Sequence, residues 1–259
     1  MTYRIEHRGK VLETSHFFPL SNEECEQLRE AFYEKPPLDM VKQNFLSIEK
    51  GGTNVSAITN YYLKDLMAKV KLYSPRWSIE EVLECNDLIR YFWSRVMASE
   101  KVYPKTHSPI KNLETAFRIS GGGVAMKPSN FPMKTIDYIL QKYNLNNEYY
   151  DYSCGWGVRM LSALKMRVNY YGVDPNYILI DRLNSIKNDY EDTVQAKLFA
   201  DIRCAGSEQY QDDWNSKFGL AFSSPPYFGL EDYRVGAQSY REGMKYEDWL
   251  NDYLTSTIQ

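Results

Sequence analysis

The sequence predicts an α/β protein in which a helical N-terminal region leads into a parallel sheet. Three observations predict it. Over the first hundred residues apolar side chains recur at helical spacing. From Phe131 onward short strand-like runs alternate with helical ones, and strands alternating with helices are joined by crossovers and so lie parallel. The chain of 259 residues is 43% hydrophobic with a net charge of −3, which suffices for a buried core and excludes a disordered chain.

Ser21 and Glu24 have capping-box spacing, so a helix starts there and runs to about Tyr33, before Pro36 and Pro37 interrupt it. A second helical segment covers about 54–72 and ends before Pro75. A third starts at Ser78, with Glu81 completing another box, and Ile79, Val82, Leu83, Leu88, Ile89, Phe92 and Val96 share one face. Tyr91, Phe92 and Trp93 read as core at that spacing rather than as a platform for stacking bases. Residues 101–132 carry Pro104, Pro109, Pro128 and Pro132 around Gly121, Gly122 and Gly123, and read as a connection. Helices then come at about 133–143, 158–167, 176–190 and 246–257, and strands near 149–153, 170–174, 201–205 and 218–223. Three regions result: a helical one (1–100), a linker (101–130) and a sheet-forming one (131–259).

Charge divides unevenly. Residues 101–150 hold 7 Lys+Arg against 3 Asp+Glu, a segment suited to face a polyanion or to serve as a solvated linker. No apolar run approaches the roughly 18 residues of a membrane span, and the charged N-terminus does not read as a signal peptide. The four cysteines form no C-x-x-C pair, and with three histidines no zinc spacing arises. A soluble protein of a reducing, cytoplasmic compartment is expected.

Two stretches carry chemistry. In Tyr149-Tyr150-Asp151-Tyr152-Ser153-Cys154-Gly155-Trp156-Gly157-Val158-Arg159 a strand enters a glycine turn and a helix opens behind it. At the C-terminal edge of a parallel sheet such a turn brings backbone N–H groups to a ligand. A third glycine is lacking, so the dinucleotide fingerprint is incomplete. The next strand ends in Asp174, 23 residues after Asp151, a spacing that suits a carboxylate bonded to ribose hydroxyls. In the second stretch an apolar strand, Phe218 to Phe222, ends in Ser224-Pro225-Pro226-Tyr227. Prolines cannot continue the ladder, and they stiffen a loop whose carbonyls and hydroxyl can accept both hydrogens of an amino group. Tyr227 can lie flat against a ring.

Together, Asp151-x-x-x-Gly155-x-Gly157, Val173-Asp174 and Ser224-Pro225-Pro226-Tyr227 resemble motifs I, II and IV of the S-adenosylmethionine-dependent amino-methyltransferases of DNA. Ser129-Asn130-Phe131-Pro132 resembles that family's motif X, beside the methionine end of the cofactor, and Gly206-Ser207-Glu208 its motif III region near the adenine. The strings at 172–176 and 224–228 look most like phage-encoded DNA methylases, and the resemblance covers about residues 118–250. It implies a Rossmann-like methyltransferase sheet with strands in the order 3-2-1-4. It further implies that S-adenosylmethionine is held by Asn130, Phe131, Asp151, Gly155, Gly157, Asp174, Ser207 and Glu208. Ser224, Pro225, Pro226 and Tyr227 would act on adenine N6 or cytosine N4 of a base flipped out of DNA, in the host cytoplasm if the protein is phage-encoded. The Pro-Cys pair of the cytosine-C5 methylases is absent.

Two departures stand out. Only 33 residues remain from Tyr227 onward, where the family's sheet continues with three more strands. No target-recognition region comes after them, so base reading is expected from residues 1–117 or from another chain. Strand four, left at an open edge, is expected to be covered by a second chain completing the sheet, by the N-terminal helices, or by residues outside this chain. Two other readings stay open: methylation of a protein amide or an RNA amine, whose enzymes usually place Asn before the Pro-Pro pair, and a non-catalytic binding protein on a truncated methyltransferase scaffold.

Overall fold

The computed structural model describes residues 2–72, 77–98, 117, 125, 127–209, 211–234, 236–241 and 243–258. It opens not on a helix but on an antiparallel hairpin, β1 (Tyr3–His7) and β2 (Lys10–Thr14). Arg8 and Gly9 at its turn both have positive φ, 49° and 70°, the two-residue arrangement that matches the twist of the strands. Inward positions alternate, with Ile5, Leu12 and Thr14 buried. Five-residue strands of this kind escape a search for helical spacing.

Helix α1 (Asn22–Tyr33) has the expected capping box: the Glu24 N–H donates to Ser21 Oγ at 3.1 Å and the Ser21 N–H to Glu24 Oε2 at 2.7 Å. The prolines after it begin a helix as well as ending one. Pro37 is the N-cap of α2 (Leu38–Glu49), where a missing N–H costs nothing. The segment expected at 54–72 divides into α3 (Ser56–Tyr62), α4 (Lys64–Lys69) and the two-residue strand β3 (Lys71–Leu72). The Ser78–Glu81 box caps α5 (Ile79–Leu83), and after a break the chain continues as α6 (Asn86–Ala98). Residues 101–116 and 118–124 of the proline- and glycine-rich connection, its triple glycine included, lie outside the described residues.

The chain forms two units that do not keep to chain order. The first comprises Met1–Glu34, Met67–Pro128 and Leu230–Arg234; the second comprises Lys35–Leu66, Ser129–Gly229 and Val235–Gln259. In the first, Glu231–Asp232 pairs antiparallel with β3, and Arg234 and Arg8 both bond the buried Glu81 carboxylate, at 2.7 and 3.4 Å. Its core holds Phe32, Trp77, Tyr91, Phe92, Trp93 and Phe117, so the aromatic run of α6 is packing.

The second unit contains α7 (Met133–Tyr143), β4 (Glu148–Asp151), α8 (Val158–Lys165), β5 (Asn169–Asp174), α9 (Tyr177–Val194), β6 (Ala200–Cys204) and β7 (Leu220–Ala221). The four strands are parallel in the order β6-β5-β4-β7, which is 3-2-1-4. A helix at Tyr246–Trp249 (α10) continues into a π-helical turn, Leu250–Thr255, and a last turn, Ser256–Ile258. Glu49 of α2 bonds Arg167 and Tyr190, and Tyr62 of α3 bonds Asp189, so α2 and α3 belong to this unit.

Pairing of Tyr149 with Tyr170 and of Asp151 with Gly172 puts these four residues on one face of the sheet. Tyr149 and Tyr170 are fully buried there, rings edge to face at 5.6 Å. A Cβ on Gly172 would lie 2.6 Å from Cys154 Sγ and 2.7 Å from Tyr170 Cε1. Gly172→Ala is expected to cost about 1–3 kcal/mol of stability by overpacking, checked by denaturant unfolding, and an unchanged midpoint would refute it. On the opposite face Tyr150 and Tyr171 pack on Trp214 and Phe218, with the Arg203 guanidinium 4.0 Å over the Trp214 ring.

Strand β7 is shorter than the expected 218–223. Backbone bonds to β4 flank it, from the Gly219 N–H to the Glu148 carbonyl at 3.1 Å and from the Phe222 N–H to the Tyr150 carbonyl at 3.0 Å, and beyond them the Ser223 hydroxyl bonds the buried Asp151. Among the described residues no strand pairs with its outer edge, and the brevity of that edge limits what it offers to another chain. No described helix is long and apolar enough to cross a membrane. The four cysteines are free.

Candidate functional site

Strands β4 and β7 are neighbours although far apart in sequence, and the loops after their C-terminal ends therefore meet. This is the switch point of the sheet, where ligands of open α/β folds bind. The turn after β4 is closed by the Cys154 N–H, which donates to the Val173 carbonyl at 3.1 Å. Gly157, at φ +76°, caps α8, and a Cβ there would lie 2.7 Å from Leu183 Cδ2. Gly157 thus permits close packing of two helices. Gly155, at φ +55°, has only ordinary contacts around its missing side chain, which leaves its backbone approachable.

Asp151 is fully buried and held by the protein's own groups. Arg159 Nε donates to it at 2.8 Å, Tyr170 Oη at 2.8 Å, and Ser223 Oγ at 2.7 Å. Arg159 in turn bonds the Ser153 carbonyl and, at 3.3 Å, Ser223 Oγ, and its guanidinium lies 5.5 Å over the Phe131 ring. A cation in the first turn of a helix opposes the helix dipole, and the buried carboxylate beside it offsets this. That misplaced charge is the signal in the sequence for a role of Arg159. Ser223 leaves none.

The loop after β7 is fixed at its start. Phe222 accepts from Tyr149 Oη at 2.8 Å and its ring meets Phe131 at 5.8 Å. Beyond Ser223, Ser224, Pro225 and Pro226 are half-buried and Tyr227 is 58% exposed. Burial pushes the Cys154 thiol well up, so it is no candidate nucleophile.

Asp174 ends β5. Burial raises its carboxyl to about 6, although the backbone N–H groups of Asn176 and Gly155 both bond it. Asn130 donates to Thr59 Oγ1 at 3.1 Å, while its buried Oδ1 has no partner among the described residues. Ser207 Oγ is 2.8 Å from Thr257 Oγ1, and Tyr253, also on the C-terminal helix, is buried beside it. Glu208 is exposed and folds over Gly206. Asn130, Phe131, Asp151, Gly155 and Ser224 thus gather at the switch point, with Asp174 on the next strand and Ser207 and Glu208 after the third. Thr59, Arg159, Ser223, Tyr253 and Thr257 join them, and sequence reasoning does not find these five.

Asp174 can accept from hydroxyl donors, and the Asn130 oxygen, without a partner among the described residues, can accept from an N–H. Asp151 already accepts from Arg159, Tyr170, Ser223 and, at 3.4 Å, the Ser153 N–H. Compared with known protein families, curated proteins and solved structures, the chain matches none.

Proposed function

We propose that this chain is a Rossmann-like, S-adenosylmethionine-dependent methyltransferase acting on the exocyclic amino group of adenine (N6) or cytosine (N4) in DNA. The observation that carries the reading is the convergence of the Ser129–Phe131, Ser153–Gly157 and Ser223–Tyr227 segments on Arg159 at the switch point. When bound, S-adenosylmethionine supplies an electrophilic methyl group. Asp174 would hold its ribose, Gly155 its backbone-facing side, Asn130 and Phe131 its methionine end, and Ser207 and Glu208 its adenine.

An aromatic amino group is a poor nucleophile because its lone pair is delocalised into the ring. Ser224 Oγ and the Pro225 carbonyl would accept its two hydrogens and draw the nitrogen toward tetrahedral geometry, so that the lone pair could take the methyl group as its bond to sulfur breaks, the neutral thioether leaving and one amino proton passing to solvent. The Pro225-Pro226 pair keeps both acceptors in place. Tyr227, already turned outward, stacks on a base that has left the duplex.

The test is tritiated methyl transfer from S-adenosylmethionine to duplex DNA, with nucleoside analysis of the product. Label in N6-methyladenine or N4-methylcytosine supports the reading; label in RNA or protein alone overturns it. Tyr227→Ala is expected to lower transfer by about 1–3 kcal/mol, the worth of one stacked base, with cofactor affinity close to wild type by calorimetry. Transfer at the full rate would reduce this loop to a turn.

A further inference from the structure

Ser223 is the buried member of an otherwise half-exposed loop, and no feature of the sequence singles it out. Its hydroxyl donates to Asp151 Oδ1 at 2.7 Å, with the Ser153 carbonyl at 3.1 Å as a second acceptor, and accepts from Arg159 Nη2 at 3.3 Å. Asp151 and Ser153 belong to the strand and turn that would face the methyl donor. The next residue along from Ser223 would face the acceptor. One hydroxyl therefore spans two segments that the chain separates by about seventy residues.

The segment beyond Ser223 is stiff. Pro225 and Pro226 have fixed φ, and a residue preceding proline is itself confined to extended backbone, so Ser224 has little freedom. A displacement at Ser223 is thereby passed on to Ser224 and Tyr227 as a unit rather than absorbed between them. The partners at the other end are equally fixed. Arg159 and Asp151 are 5% and 0% exposed and bond each other directly, so they form a rigid reference rather than a mobile surface pair.

We propose that Ser223 is a positioning residue whose hydroxyl, lodged between Asp151 and Arg159, sets the register of the Ser224–Tyr227 loop against the Ser153–Gly157 turn. The inference rests on the methyl-transfer reading for its consequence, though not for its geometry. Ser223 does not touch the base. It sets the distance between donor and acceptor, and a misplacement of about 1 Å in such an alignment can cost on the order of a hundredfold in rate.

The variants are Ser223→Ala, which leaves the Arg159–Asp151 pair intact, and Ser223→Thr, which keeps the hydroxyl. For Ser223→Ala the expected result is S-adenosylmethionine affinity within about twofold of wild type, KM for DNA nearly unchanged, and kcat lowered roughly 10–100-fold. Ser223→Thr should recover most of kcat. Amide hydrogen exchange of the ligand-free protein provides an arm independent of activity. Ser224, Tyr227 and Phe228 should exchange faster in Ser223→Ala, while β4 and β5 keep their protection. Wild-type kcat, or unchanged exchange in the loop, would overturn the proposal. Should the wild-type protein methylate nothing, the functional reading falls, and the exchange arm still decides whether Ser223 sets the loop.

Discussion

Replacing Arg159 with methionine is expected to destabilise the second unit by about 3–5 kcal/mol, the usual cost of leaving one partner of a buried ion pair uncompensated. Asp151 has no exposed surface and Arg159 is 5% exposed, so water cannot take over the lost contact. The pair Arg4–Glu13 is a useful contrast. Its side chains are 62% and 66% exposed, and breaking it should cost no more than about 1 kcal/mol. If the penalty at Arg159 comes from the orphaned carboxylate, adding Asp151→Asn to Arg159→Met should recover much of it. Urea unfolding of wild type, the single variant and the double variant measures this. A single variant within about 1 kcal/mol of wild type would show that Asp151 finds other support.

Asp174→Ala is expected to weaken S-adenosylmethionine binding by about 1.5–3 kcal/mol, a charge-assisted hydrogen bond lost from the ribose. The raised carboxyl adds a pH signature. With its folded value at about 6 and an unfolded value near 3.9, the native state holds the extra proton between these limits. This contribution to stability is therefore full below about 3.9 and is lost as pH rises through about 6, the reverse of the usual aspartate. Ligand hydroxyls donate to the ionised form, so affinity should be flat above about pH 7 and fall roughly tenfold by about pH 5. Asp174→Asn should show a weaker affinity with no such slope. Calorimetry across that range decides it, and an unchanged affinity in Asp174→Ala removes the ribose assignment.

The sheet is legible in the sequence because its signals are local. Tyr170 to Asp174 reads as a strand, Gly155 and Gly157 mark a turn, and the helix beginning at Val158 declares itself by periodicity. The 3-2-1-4 order comes from the motif resemblance and agrees with the pairing found. The hairpin at Tyr3–Thr14 escapes because two five-residue strands leave little periodicity and its turn, Arg8-Gly9, carries only one glycine. Helix α2 escapes because Pro36-Pro37 reads as a stop, although proline begins helices as readily as it ends them. Ser223 is out of reach for another reason. Its importance depends on β7 lying beside β4, and no window of sequence contains both strands.

The interleaving of the two units along the chain governs how the molecule can be made. No single cut releases either unit whole, since each is assembled from separated stretches. A fragment begun at Ser129 would contain the sheet and both glycines, yet lack Glu49, Thr59 and Tyr62, which bond Arg167 and Tyr190, Asn130, and Asp189. During synthesis α2 and α3 leave the ribosome well before the strands they serve, and all of Met67–Pro128 is made in between. The second unit therefore cannot close until Ser129–Gly229 has followed Lys35–Leu66 out of the ribosome, and its folding waits on distant contacts whose loop entropy must be overcome first.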